Sequence, residues 1–494
     1  MGEVEALFSH SFDVQSMNSA ISDSLSDNFN YIGWACSLIV FFFLWFSFGR
    51  IELAILSFLP MAVSWVWILG IMAIFGIKFN IVNIILATFI FGQGDDYTIF
   101  MTEGCQSEYA YRKPILASYK SSIIQSALIM FVGIGTLVVA KHPALFSLAI
   151  VTIIGMFCVV FMAYLLPPLL FGIVTAPKRP VSLASACRTL LLGILLVVEM
   201  PFIAMLRPMR MSLRNSGLSL LHQFNIRLLF GVKIKRIKVA DDAFGKSSVV
   251  VFNHRSMLDA MLIVALNRNI ILKSKMPESI WQKIFLWLCG CSCDNVDVLL
   301  GAGCSVALLT DEASACEVAK TLKADILPVV IHGSDKIKSD ESLVINGGTV
   351  TISVEKKVSY SAPSVLETIS ARYDELCRNI EKSNYFVGLV KDLYMYRGVD
   401  IMRTVNRNLK RNGNYSAIVD APVSAAKVVI DGVGYGEAAL LFALVHPDVQ
   451  VVAVEADADK RTVAQNCIGE VAPNVEVVES CLADDSALVI NLKK

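Results

Sequence analysis

The residues best placed to do chemistry are His254 and Asp259. They lie in Asn253-His-Arg-Ser-Met-Leu-Asp259, directly after the β-forming run Ser248-Val-Val-Val-Phe252. A buried strand giving way to a helix at this point lets both side chains face one pocket. An imidazole backed by a carboxylate is a general base: the ring takes the proton of an attacking hydroxyl, while the carboxylate fixes its tautomer and stabilises the imidazolium. The reaction this suits is acyl transfer from a thioester to an alcohol. A histidine capping a helix near an unrelated aspartate is the other reading of the bare spacing.

Two further stretches carry chemistry-bearing residues. Phe91-Gly-Gln-Gly-Asp-Asp-Tyr97 sets Asp95, Asp96 and Tyr97 inside an apolar run. Ionisable groups at hydrocarbon depth are costly, so these three form a candidate proton relay facing a bundle interior. The competing reading puts the acids at the end of a shorter span, in headgroup water. Gly92, one turn from Asp96, would admit a neighbouring helix beside the acid. Near the C-terminus, Lys427-Val-Val-Ile-Asp-Gly-Val-Gly-Tyr-Gly436 reads as strand and glycine-rich turn, and Val449-Gln-Val-Val-Ala-Val-Glu455 as a second strand ending in an acid. Such a turn lets a cofactor approach the backbone at Gly432, Gly434 and Gly436, and Glu455 is placed to bind ribose hydroxyls.

The elements that must position these residues fall into a membrane part and an α/β part. At 494 residues the chain exceeds one ordinary domain. Its formal net charge is zero, and no basic-aromatic array supports a nucleic-acid partner. The twelve cysteines lack the spacing of a secreted framework and read as free thiols. Cys289-Gly-Cys291-Ser-Cys293 has no second pair or histidine at zinc spacing, so no metal site is expected.

Residues 1–30 are polar, without the pattern of a cleaved signal peptide. Apolar runs follow at Tyr31–Phe48, Ala54–Phe75, Ile81–Met101, Ile123–Val139 and Leu145–Leu166, each near the ~20 residues that cross a bilayer as a helix. Five spans are expected. Arg50, Arg112, Lys113, Lys120, Lys178 and Arg179 follow the first, third and fifth runs, which puts the N-terminus outside and the C-terminal part in the cytoplasm. A sixth run, Thr189–Leu206, has positive charge at both ends and is expected to lie in the cytoplasmic interface. The fold class is therefore multidomain: an α-helical transmembrane bundle, an α/β domain and a partial Rossmann-like α/β segment. The divisions are 1–30, the end of an external segment; 31–175, the bundle; 176–224, an apolar and basic interfacial linker; 225–360, the α/β domain; 361–415, a helical linker; and 416–494, the Rossmann-like segment. Within the linker, Arg397 to Arg411 is basic and helical in pattern, with charges on lipid headgroups or on a solvated face.

Asn253-His254-Arg255-Ser256-Met257-Leu258-Asp259 resembles the N-H-x-S-x-x-D box of the 1-acylglycerol-3-phosphate acyltransferase family. The resemblance implies catalysis by His254 and Asp259, with acyl-CoA or acyl carrier protein as donor and a membrane lipid as acceptor. Asn253, Ser256, Asp311 and Pro328 fall on the family's motifs as substrate-binding residues, Pro328 within an apolar strand similar to its fourth motif. The family's F-P-E-G-T-R-S-like loop is replaced by Ala307-Leu-Leu-Thr-Asp311-Glu312-Ala-Ser314, which keeps an acid but not the arginine. Either the acceptor lacks phosphate or the domain keeps its fold without activity. Phe91–Tyr97 resembles the G-x-x-x-D-Y motif of MMPL-type lipid exporters of the resistance-nodulation-division superfamily. That implies residues 10–175 are the tail of such an exporter, its missing half being a partner or an upstream part of a longer fusion. The glycine loop and Glu455 resemble class I methyltransferases, implying S-adenosylmethionine as a cofactor of a truncated domain. Together these resemblances imply a protein of the bacterial inner membrane.

Overall fold

The computed structural model describes residues 31, 35–77, 81–238, 244–274, 279–292, 294–339, 342–361, 365–411, 415–423, 425–469, 471–480 and 488–492, without the side chains of 81–89, 91 and 281. The chain divides into two compact units, Val181–Tyr385 and Met1–Pro180 with Phe386–Lys494.

The unit Val181–Tyr385 is built on a six-stranded mixed sheet: β1 (Val232–Lys238), β2 (Val249–Phe252), β3 (Ile270–Ser274), β4 (Ser305–Leu309), β5 (Ile326–His332) and β6 (Gly348–Val354). Their spatial order is β1-β6-β5-β2-β4-β3. β5, β2, β4 and β3 run parallel, and β6 pairs antiparallel with β5. β2 lies between two neighbours and is covered on both faces, which explains its unbroken Val-Val-Val-Phe sequence. Val250 and Phe252 enter a core with the helix Leu258–Leu266. Val249 and Val251 face the opposite core, with Ala315, Ala319, Ile369 and Leu376 from the helices Glu312–Thr321 and Val365–Ile380. The basic strand β1 is an edge strand, as its alternating charge suggests.

This unit begins with the helix Leu183–Leu206, capped by reciprocal Ser182 and Ser185 hydrogen bonds. It buries Leu192 and Ile203 in the unit's core and exposes Leu190, Ile194, Val197 and Phe202.

In the other unit, the helices Ile51–Ile74, Ile81–Tyr111, Ile115–Gly135 and Pro143–Thr175 pack together, Ile68, Ile90, Tyr97, Ile123 and Val159 sharing one core. A shorter apolar helix covers Ala35–Phe48. Among the described residues, four helices are long and apolar enough to cross a membrane: Ile51–Ile74, Ile115–Val139, Pro143–Thr175 and Leu183–Leu206, with mean hydropathy between 2.0 and 2.7. The last is the run expected at the interface; its length and composition match those of a span. The helix Ile81–Tyr111, which contains the expected third span, is not among these four.

The same unit contains a parallel sheet of β7 (Lys427–Asp431), β8 (Gln450–Val454), β9 (Val475–Val478) and β10 (Leu488–Asn491), in the order β10-β7-β8-β9. The helix Glu437–Val445 connects β7 to β8, and the helix Ala458–Ile468 connects β8 to β9.

Candidate active site

The His254 side chain stands where β2 runs out at the C-terminal edge of the parallel strands, the position at which α/β sheets bind ligands. Asn253 ends the strand and is buried. Its amide donates to the Ile331 carbonyl at 2.7 Å, and its carbonyl accepts from the Ile331 N–H at 2.7 Å. The Asn253 side chain thus continues the β2–β5 ladder after the backbone has turned away. Ser256 Oγ donates to the Lys338 carbonyl at 2.6 Å and accepts from the Leu258 N–H at 3.2 Å. Both residues fix the turn, a role that the family's sequence box by itself does not reveal.

Asp259 opens the helix Leu258–Leu266 and is fully buried. Its Oδ2 accepts from the N–H groups of Arg255 and Ser256, each at 2.9 Å. A carboxylate at the first turn of a helix, held by two backbone donors, is fixed in place. The same oxygen lies 3.6 Å from His254 Nδ1, longer than a hydrogen bond and of the kind that tightens on substrate binding. With Nδ1 turned to the acid, Nε2 is left at the outer edge of a partly exposed ring. The arrangement can accept a proton at Nε2 and stabilise the resulting imidazolium.

Around this pair lie residues that the sequence did not single out. The Arg255 guanidinium stacks on the Tyr373 ring, 4.1 Å from its centroid. Tyr373, Cys377 and Glu381 recur every four residues along one helical edge. His332 is fully buried, and its Nε2 lies 2.9 Å from Glu381 Oε1. Burial pushes the Glu381 carboxyl upward, but hydrogen bonds from His332 and Lys336 outweigh it and hold the group below its usual range. His332, Cys377 and Glu381 present ligand atoms within 4.8 Å of one another. The Lys336 ammonium already occupies Glu381 Oε1, so the cluster stands as a hydrogen-bonded ion network. Cys293 of the earlier cysteine cluster lies outside the described residues; burial raises the thiol pKa of Cys289.

Asp311 caps the helix Glu312–Thr321: Oδ2 accepts from Ser314 N–H at 2.9 Å, and Oδ1 accepts from Thr310 Oγ1 at 3.0 Å. The backbone donation from Ser314 leads in lowering its carboxyl to about 2. The end of β4 and the end of β3 share an open depression of about 540 Å³, lined by Lys273, Ser274, Asn295, Leu309, Thr310 and Ser314. Pro328 is buried in β5 opposite Val251. Its carbonyl accepts from Glu355 N–H at 3.0 Å, so its missing N–H faces the end of β6, where the ladder stops.

In the helix Ile81–Tyr111, Asp95 and Tyr97 are buried and Asp96 is exposed. Tyr97 OH donates to Gln93 Oε1 at 3.1 Å and lies 3.2 Å from Ser126 Oγ. Asp95 shares a helical stripe with Thr98 and Thr102, and Thr102 Oγ1 donates to Ser57 Oγ at 3.4 Å. The close helix approach falls at Gly94, where a Cβ would stand 2.9 Å from Val159, while Gly92 has nothing within 4 Å.

Gly432, Gly434 and Gly436 all have positive φ. At Gly436 a Cβ would also come within 2.8 Å of Ala464, so both conformation and packing call for glycine there. Glu455 Oε2 accepts from Gly434 N–H at 2.7 Å and Oε1 from Asp457 N–H at 3.1 Å. The acid assigned to ribose therefore already closes the loop, and a ribose hydroxyl would have to share or displace the Gly434 contact.

No protein-family model matches the chain, and no curated protein matches it. Among solved structures, the crystal structure of the 1-acyl-sn-glycerophosphate (LPA) acyltransferase PlsC from Thermotoga maritima is similar to 39% of this chain and 97% of that one, with 16% identity and a TM-score of 0.32.

Proposed function

We propose that the chain is a membrane-bound O-acyltransferase that moves an acyl group from acyl-CoA or acyl carrier protein to a lysolipid or another membrane-held hydroxyl acceptor. The observation that carries this reading is the pairing of His254 with a buried Asp259 whose position two backbone amides fix. In the reaction, His254 Nε2 takes the proton of the acceptor hydroxyl as its oxygen attacks the thioester carbonyl carbon. Asp259 faces Nδ1 and stabilises the imidazolium. The tetrahedral intermediate collapses with cleavage of the C–S bond, and the imidazolium returns the proton to the departing thiolate. The product is an ester and a free thiol. The four apolar helices support keeping the acceptor at a membrane surface. This reading sets the chain in the bacterial inner membrane with the His254 unit on the cytoplasmic side, the side on which both water-soluble thioester donors are found.

The test is acylation of a lysolipid by the purified full chain and by His254→Ala. Activity lost only in the variant supports the enzyme; activity absent from both removes it.

A second reading is favoured by Asp95, a buried carboxyl whose Oδ1 has no hydrogen-bond partner among the described residues. In it the helices belong to a proton-driven lipid exporter completed by another half, and the α/β units are catalytically silent. Unchanged proton-dependent export after Asp95→Asn in the complete assembly would remove that reading. S-adenosylmethionine is the cofactor the glycine loop would take, with Glu455 releasing Gly434 to receive it.

A further inference from the structure

The acyl-transfer reading leaves the helix Val399–Arg411 without a role. It buries Ile401, Val405 and Leu409 and exposes Arg403, Arg407, Lys410 and Arg411, a spacing that aligns all four cations on one face. Among the described residues none of the four has an ion-pair partner. With Asn406 they line an open depression of about 540 Å³.

The place of this helix is set by its first turn. Val399 Cγ2 lies 2.6 Å from where a Cβ on Gly49 would stand, and Arg50 Nη1 lies 3.9 Å from Met402 Sδ. Gly49 and Arg50 join two apolar helices, the second of them long enough to cross a membrane. Other apolar-helix ends reach the same C-terminal segment: Arg397 Nη1 donates to the Tyr109 carbonyl at 2.9 Å, Lys113 pairs with Asp459 at 2.7 Å and Arg179 with Asp392 at 2.6 Å. The helix thus starts where the hydrocarbon-length helices stop. At 1.5 Å of rise per residue the four cations span about 12 Å of helix from Arg403 to Arg411, and all four share the headgroup layer, roughly 5–8 Å thick on each side, when the helix axis runs along the membrane surface.

The geometry points to a binding surface for anionic phospholipid headgroups, with Arg403, Arg407, Lys410 and Arg411 as the phosphate ligands. Guanidinium groups match phosphate oxygens in bidentate fashion, and lysine adds a point charge. Each basic side chain near an anionic leaflet strengthens binding by roughly fivefold, screened by salt.

The experiment places the full chain in nanodiscs of mixed phosphatidylglycerol and phosphatidylcholine and counts retained lipids by native mass spectrometry. The wild type is expected to retain phosphatidylglycerol preferentially, and R403Q/R407Q/K410Q/R411Q to lose at least tenfold of that preference. R403K/R407K/R411K keeps the charge and is expected to keep most of the preference. Melting temperatures in lipid-free detergent control for folding, since all four residues are exposed. Equal retention by wild type and the glutamine variant overturns the inference. So does equal stabilisation by millimolar inorganic phosphate and by phosphatidylglycerol, which would make the site one for a free anion. A variant that loses an acidic carrier protein but retains its lipid also overturns it.

Discussion

Asp259→Asn isolates the charge behind the candidate base from the shape that holds it. Asparagine keeps an oxygen able to accept from the Arg255 and Ser256 N–H groups, so the turn is expected to survive. What it loses is the attraction between a carboxylate and an imidazolium 3.6 Å away. At an effective dielectric near 20, unit charges at that separation interact by roughly 4–5 kcal/mol. The ring is partly exposed, and screening by water reduces this to about 2–3 kcal/mol. Since about 1.4 kcal/mol corresponds to tenfold in rate, the expected loss is on the order of 10²-fold in kcat. The assay follows thiol release from acyl-CoA in the presence of lysolipid micelles, with the melting temperature measured alongside. A variant that keeps wild-type stability and a kcat within threefold of wild type would refute the role given to Asp259. Asp259→Ala, in contrast, leaves the buried Ser256 N–H and the partly buried Arg255 N–H without this acceptor and is expected to cost about 1–4 kcal/mol of stability.

Asn253→Ala removes both hydrogen bonds to Ile331, and the apparent melting temperature is expected to fall by the equivalent of about 2–4 kcal/mol; an unchanged melting temperature with a raised KM would make Asn253 a substrate contact instead. Burial of His222 lowers its pKa from 6.5 to about 4, so the folded state disfavours its proton. Its stability contribution is then fully present above about pH 6.5 and is lost as the pH falls towards 4, an effect of about 3 kcal/mol if the unfolded histidine is unperturbed. Melting curves from pH 7 to 4 on wild type and His222→Leu check this, the variant losing part of the pH dependence. Gly436→Ala combines a left-handed backbone with a 2.8 Å approach to Ala464 and is expected to destabilise the β7–β10 sheet and its helices by about 1–3 kcal/mol; hydrogen exchange in Lys427–Val454 reads it directly.

The local elements were legible in the sequence because they depend on patterns a few residues long. β2, the helix Leu258–Leu266, β5 and the turn at Gly432–Gly436 fall where apolar runs and glycines place them. What the sequence left open depends on distant partners. The pairing of Asn253 with Ile331 spans 78 positions, and nothing near Asn253 distinguishes a ladder substitute from a substrate ligand. Asp95 and Asp96 are neighbours pointing about 100° apart on a helix, and only the packing of neighbouring helices decides that Asp95 turns inward. Leu183–Leu206 has the hydropathy of a span and also packs Leu192 and Ile203 into an α/β core; composition alone does not separate these uses. The stacking of Arg255 on Tyr373 joins segments more than a hundred residues apart, whereas the i, i+4 series Tyr373, Cys377 and Glu381 was a visible signal.

The most direct test of the account is transfer of a labelled acyl group from a thioester to a lysolipid by the full chain, comparing wild type with His254→Ala under single-turnover conditions. The account predicts labelled ester and stoichiometric free thiol in the wild type, with the rate reduced by about 10²- to 10⁴-fold in the variant. Equal rates in the two proteins, or no ester from the wild type with either acyl-CoA or acyl carrier protein as donor, would contradict it.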